Sequence, residues 1–62
     1  MKHIINNREV NIDWEKDEII DKHDSGCEDW AVRGESDNGS LYYGQGNYQD
    51  DELIDVFEIE EQ

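Results

Sequence analysis

Beyond Arg33 the chain has no lysine or arginine at all, and its 62 residues hold only five basic side chains against eighteen acidic ones. A formal net charge of −13 at pH 7 excludes the attraction to phosphate on which direct nucleic-acid binding and adhesion to anionic membranes depend. Cysteine is nearly absent too. Cys27 stands alone, so no intrachain disulfide can form, and a single thiol suits a reducing cytosol. No apolar run approaches the roughly 20 residues of a membrane-spanning helix, and the opening residues Met1 to Asn7 lack the apolar stretch of a signal peptide. The expectation is a cytoplasmic protein. G-x-S-x-G, P-loop and H-E-x-x-H patterns are missing, and a chain this short has little room for the shielded pocket that separates carboxylate pKa values in acid–base catalysis. The chain reads as a non-enzyme without a cofactor.

What is present is acid, and it is unevenly placed. Met1 to Arg33 holds nine acids and all five bases, whereas Gly34 to Gln62 holds nine acids and no base. The C-terminal half is an anionic surface, and something positive is its expected partner. At 62 residues the chain forms one domain at most and buries only about 60% of its unfolded surface. Like-charge repulsion opposes compaction further. Low hydrophobicity with high net charge is also the signature of disorder, but two Trp, three Tyr, one Phe and patterned Ile and Val argue for a folded core. Dimerisation or partner binding would supply missing burial.

Val10, Ile12 and Trp14 alternate after a turn signal, which predicts a β-hairpin at the N-terminus. A three-residue loop at Asn6 to Arg8 sets Ile4 opposite Val10 and collects apolar groups on one face; a two-residue loop sets His3 opposite Val10. The apolar pattern favours the longer loop. From Glu15 to Asp29 the periodicity breaks down, and the segment fits either one or two helical turns or a charged loop anchored by Ile19 and Ile20. Asp24-Ser25-Gly26 reads as a turn.

Asn38-Gly39 predicts a two-residue type I′ hairpin turn between a strand at Asp29 to Ser36 and one at Leu41 to Tyr48. That register places Trp30 and Val32 on one face with Leu41 and Tyr43, and sends Tyr42 to the other. Glycines inside these strands permit bulges and sharp bends. For the last segment a strand is favoured over a helix by its central Ile, Val and Phe; alternation then points Leu53, Phe57 and Ile59 inward with Asp55, and Ile54, Val56, Glu58 and Glu60 outward. The fold expected is a mostly β domain: a small curved antiparallel sheet of four or five strands with an acidic outer face.

Two constellations resemble metal sites. His23 and Cys27 have turn-like spacing, but a structural zinc site needs four ligands and no second pair exists. Asp50-Asp51-Glu52 and the stretch Glu35 to Gly39 are rich in oxygen but lack the EF-hand ligand order. An exposed loop histidine and an incidental cysteine explain the first and turns the second, and no metal is expected. Among the aromatics, Tyr42 is the candidate exposed anchor, since Tyr is enriched at interaction hot spots; core packing, or stacking under Arg33, competes with that role.

The acid array carries the functional expectation. Alternate residues on a strand lie about 6.6 to 6.8 Å apart, close to two axial phosphate steps of one DNA strand at about 3.4 Å each. Pairs such as Glu58 and Glu60, or Asp50 and Glu52, therefore present carboxylates at phosphate-like intervals. A solvated edge whose charges prevent strand-to-strand aggregation is the competing explanation. In size, acid excess and β-rich, cysteine-poor pattern the chain resembles the small acidic proteins with which phages disable host nucleases, repair glycosylases, restriction enzymes or CRISPR effectors, several of which imitate DNA charge. The resemblance implies an inhibitor acting in the host cytoplasm on a basic nucleic-acid-binding protein. The residues expected to meet that partner are Glu35, Asp37, Tyr42, Asp50, Asp51, Glu52, Asp55, Glu58 and Glu60. The alternative is a structural module that homodimerises through a sheet edge or apolar face, with Val56 or Phe57 in the contact.

Overall fold

The computed structural model describes all 62 residues and contains strands and turns only. Strands β1 (Lys2–Ile5), β2 (Arg8–Lys22), β3 (Cys27–Ser36), β4 (Leu41–Gln49) and β5 (Glu52–Glu61) form one antiparallel sheet in the order β1-β2-β3-β4-β5, not closed into a barrel. The expected curved antiparallel sheet is what the chain builds. A straight strand the length of β2 would span about 46 Å, yet the molecule's longest dimension is 36 Å, so β2 must bend. Its first residues pair with β1 and the rest, from Ile12, with β3.

The undecided middle segment is strand rather than helix or loop. Register shifts after Lys16 and after Ile19 insert Asp17 and Ile20 as extra residues, and an inserted residue breaks the two-residue period. The irregularity there comes from bulges. Asp24-Ser25 forms the turn into β3, as expected, with Gly26 at φ 87°.

Both predicted hairpin registers are corrected. At the first, Asn6 and Asn7 adopt φ 52° and 62°, the pair of positive values a two-residue type I′ turn requires and asparagine tolerates. His3 therefore faces Val10 and Ile4 faces Glu9, leaving Ile4 72% exposed. At the second, only Gly39 has positive φ, so Asn38-Gly39 is not a type I′ pair. Ser36 N–H donates to Ser40 O at 2.9 Å across a three-residue loop, Asp37 to Gly39. The added residue moves the pairing by one: Glu35 faces Leu41 and Gly34 faces Tyr42.

That shift turns Tyr42 inward with Trp30 and Val32 and turns Leu41 and Tyr43 out. The core is Ile12, Val32, Tyr42, Tyr48 and Val56, and Trp14, Trp30, Leu53 and Ile59 pack against its cluster of Val32, Tyr48 and Val56. In β5 the inward residues are Leu53, Val56 and Ile59, not Phe57, because register shifts at Ile54 and around Glu58 reverse the phase twice. Gly34 is required by contact: a Cβ there would lie 2.4 Å from Ile12 Cγ2 and 2.8 Å from Trp14 Cε3. The accessible area, 4493 Å², slightly exceeds the roughly 4,200 Å² expected of a folded chain of this mass, as suits a sheet with one uncovered face.

Candidate partner-binding face

The uncovered face follows from the register. Residues opposite in phase to Val32, Tyr42 and Tyr48 point away from the core, and pairing aligns them in rows across the sheet: Glu15, Arg33, Tyr43 and Glu60; Glu18, Ala31, Gln45 and Phe57; Asp21, Asp29, Asn47 and Asp55. Each row begins with an acid on β2, and two of the three end with one on β5. Asp13 extends the β2 series opposite Glu35, and Glu52 extends the β5 series opposite Gln49. Three strand spacings of about 4.8 Å separate β2 from β5, so the two acidic rails stand about 14 Å apart.

The structure brings Glu35, Glu52, Asp55 and Glu60 together on this face. Glu58, at the bulge beside Glu60, is also exposed, whereas Asp37 lies in the β3–β4 turn and Asp50 and Asp51 in the β4–β5 turn at the opposite end. Tyr42 does not belong to the set. It is 6% exposed, and its neighbour Tyr43, 46% exposed, occupies the outer position. The β2 acids Asp13, Glu15, Glu18 and Asp21 were missed in sequence: bulges at Asp17 and Ile20 hide that Glu18 and Asp21 continue the face of Asp13 and Glu15, and that half of the chain also contains all the bases.

The bases are almost fully engaged inside the molecule. Lys2 pairs with Glu9 at 3.6 Å, Lys22 with Glu28 at 3.9 Å, Arg33 Nε with Glu15 Oε1 at 3.2 Å, and Lys16 with Asp51. Arg33 is thus drawn to Glu15 and does not stack on Tyr42. Of the nine acids after Arg33 only Asp51 has a basic partner. Lys16 sits on the core side of the sheet, its Nζ 4.9 Å from the Trp30 ring centroid and 4.8 Å from that of Tyr48. The hydrogen bond between Lys16 and Asp51 raises the lysine's pKa and lowers the carboxyl's, while burial raises that of Tyr48. Two rings and a carboxylate hold this cation, a favourable arrangement because the ring faces carry negative potential.

Asp21, His23 and Asp29 place three metal-ligating atoms within 4.8 Å of one another. Charge pairing accounts for the cluster: His23 Nε2 lies 3.1 Å from Asp29 Oδ2 and 3.9 Å from Asp21 Oδ2, and Asn47 Nδ2 donates to Asp29 Oδ1 at 3.0 Å. The bond to Asp29, then the charges of Asp21, Asp29 and Asp24, raise the His23 pKa, and the bonds from His23 and Asn47 lower that of Asp29. Cys27 stands apart, its thiol donating to Gln49 Oε1 at 2.7 Å.

Two of the grooves on the surface border this face. One is lined by Asp13, Glu15, Arg33, Glu35 and Leu41 among others, the second by Ile20, Gln45, Glu58 and Glu60, and Tyr43 is the residue that lines both. Comparison with protein-family models, curated proteins and solved structures finds no match to this chain.

Proposed function

We propose that this protein is a non-enzymatic acidic binder that occupies the nucleic-acid-binding surface of a basic protein, in the manner of those phage-type inhibitors that imitate DNA charge and that it resembles in size and composition. The observation that carries the reading is the pair of acidic rails on β2 and β5, flanking outer positions of β3 and β4 where Ala31, Tyr43, Gln45 and Asn47 are uncharged and Arg33 offsets one of the two acids Asp29 and Glu35. Their spacing of about 14 Å is close to the roughly 12 Å width of the B-DNA major groove between its two phosphate strands. The molecule is 36 Å long, and one turn of B-DNA rises about 34 Å. A duplex of that length carries about 21 phosphate charges; the net charge of −13 is more than half of that. A basic groove would meet comparable charge on a comparable footprint.

The test uses two triple variants, E52K/D55K/E60K on β5 and D13K/E18K/D21K on β2, in capture of a basic DNA-binding enzyme from lysate at low salt. Both rails are expected to be needed, and duplex DNA is expected to compete with the wild type. Capture that ignores DNA and survives either triple change refutes the reading.

The second reading, self-association, draws on exposed Phe57 (41%) and Ile54 (56%) on the free strand β5. Acids along the same strand oppose edge-to-edge pairing. Val56 is core, so Phe57→Asp is the clean variant: a mass in sedimentation equilibrium that falls from dimer to monomer on this change would favour assembly.

A further inference from the structure

We propose that the groove bounded by Tyr43, Glu58 and Glu60 is a receptor for a single arginine side chain of the basic partner. The inference rests on the reading above and gives the acidic face a point of specific recognition. Tyr43 and Glu60 are register partners across β4 and β5, so their side chains leave the sheet on one side with Cβ atoms about 5 Å apart. Glu58 joins them because the β5 bulge adds a residue between Phe57 and Glu60, opposite Gly44. The three line one groove together with Ile20 and Gln45.

The core side of the same sheet shows what such a set holds. There Trp30, Tyr48 and Asp51 enclose Lys16. Around this groove Tyr43 and Glu60, on the outer side, and Glu58, at the bulge, repeat the chemistry of ring and carboxylate with no cation of their own. The adjacent base, Arg33, faces Tyr43 in register but is bonded to Glu15. A guanidinium fits better than an ammonium, because its plane stacks on a ring while its fork of N–H groups addresses carboxylates. Glu58 holds φ 54°, a left-handed conformation in which glycine is the unstrained residue. A strained glutamate at the bulge positions a carboxylate where glycine would suit the backbone better.

The probe is a blocked Gly-Arg-Gly peptide, with lysine and citrulline counterparts, titrated into the whole protein and followed by NMR. The arginine peptide is expected to shift Tyr43, Glu58 and Glu60 saturably, the lysine peptide more weakly and the citrulline peptide not at all. Tyr43→Leu is expected to weaken binding about two- to fivefold, the range of an exposed cation–π contact. Glu58→Gly is expected to weaken binding and at the same time raise Tm, a combination that damage to the fold would not give. Shifts spread evenly over both rails, or affinity unchanged in Glu58→Gly, overturn the proposal. No partner is needed in this assay, so a failed groove with intact DNA-competed capture sinks this inference alone, and a bound arginine peptide without such capture sinks the mimicry reading alone.

Discussion

At Gly34 one hydrogen atom decides whether β2 and β3 can close over Ile12. A methyl group there would stand 2.4 Å from Ile12 Cγ2 and 2.8 Å from the backbone oxygen of Asp13, and neither backbone nor fully buried Ile12 has room to yield. Gly34→Ala is expected to lose about 3 kcal/mol by urea unfolding, the upper end for overpacking. A domain of this size has only about 3 to 9 kcal/mol in all, so the change removes a third or more of its stability. His23 gives a second residue-scale prediction, with two opposite signs. Its pKa is raised by Asp29, so its contribution is full below the unfolded value near 6.5 and is lost as pH rises through the folded value. Asp29 is lowered by His23 and Asn47, so its contribution is present above the unfolded value of 3.8 and is lost as pH falls through the folded one. The Tm difference between wild type and His23→Gln is therefore expected to be largest between about pH 4 and pH 6.5 and to shrink on the alkaline side. A difference that grows above neutrality would show that the imidazole acts uncharged.

Strands explain why the sheet was legible while its phase was not. Residue types and turn signals were enough for the strand pattern in β1, β3 and β4 and for the alternation of Val10, Ile12 and Trp14. The faces depended on single inserted residues. In β5 the inward residues Leu53, Val56 and Ile59 fall three apart, an interval that imitates a helix, and two bulges produce it. In the β3–β4 hairpin one further turn residue exchanged Tyr42 for Tyr43, and with it the proposed anchor. Positive φ at Asn6, Asn7 and Glu58 lies at such points, and a sequence gives no direct sign of which asparagine or glutamate adopts it. The bulge phase is testable by a pair of truncations. Val56→Ala is expected to lose about 2 kcal/mol as a buried side chain, and Phe57→Ala to stay within about 0.5 kcal/mol as a surface change. Thermal unfolding of the two variants that reversed this order would restore the simple alternation of the sequence. Of the site, the β5 acids were legible from composition; the β2 rail was not, because only pairing with β3 shows that Asp13 and Glu18 share their face.

For the molecule as a whole, one field acts on two equilibria with opposite signs. Folding gathers a net charge of −13 into a body 36 Å long, and in about 10 mM salt the screening length is about 30 Å. Nearly every carboxylate then feels every other, and the repulsion opposes the folded state. In about 1 M salt the screening length is about 3 Å, shorter than the distance between strands. Salt also weakens the ion pairs, but those of Lys2 and Arg33 are exposed, the 3.9 Å pair of Lys22 is exposed on the lysine side, and exposed pairs contribute little. The repulsive effect should prevail, so Tm is expected to rise from 10 mM to 1 M sodium chloride. Binding to a basic groove depends on the same field in the other direction, since attraction and steering decline as salt screens both surfaces. Affinity for the captured partner is therefore expected to fall across the range in which the free protein becomes more stable. Measuring both over one salt series separates the causes: a Tm that fell with salt would place the ion pairs above the repulsion, and an affinity that rose with salt would assign the contact to apolar residues such as Phe57 rather than to the rails.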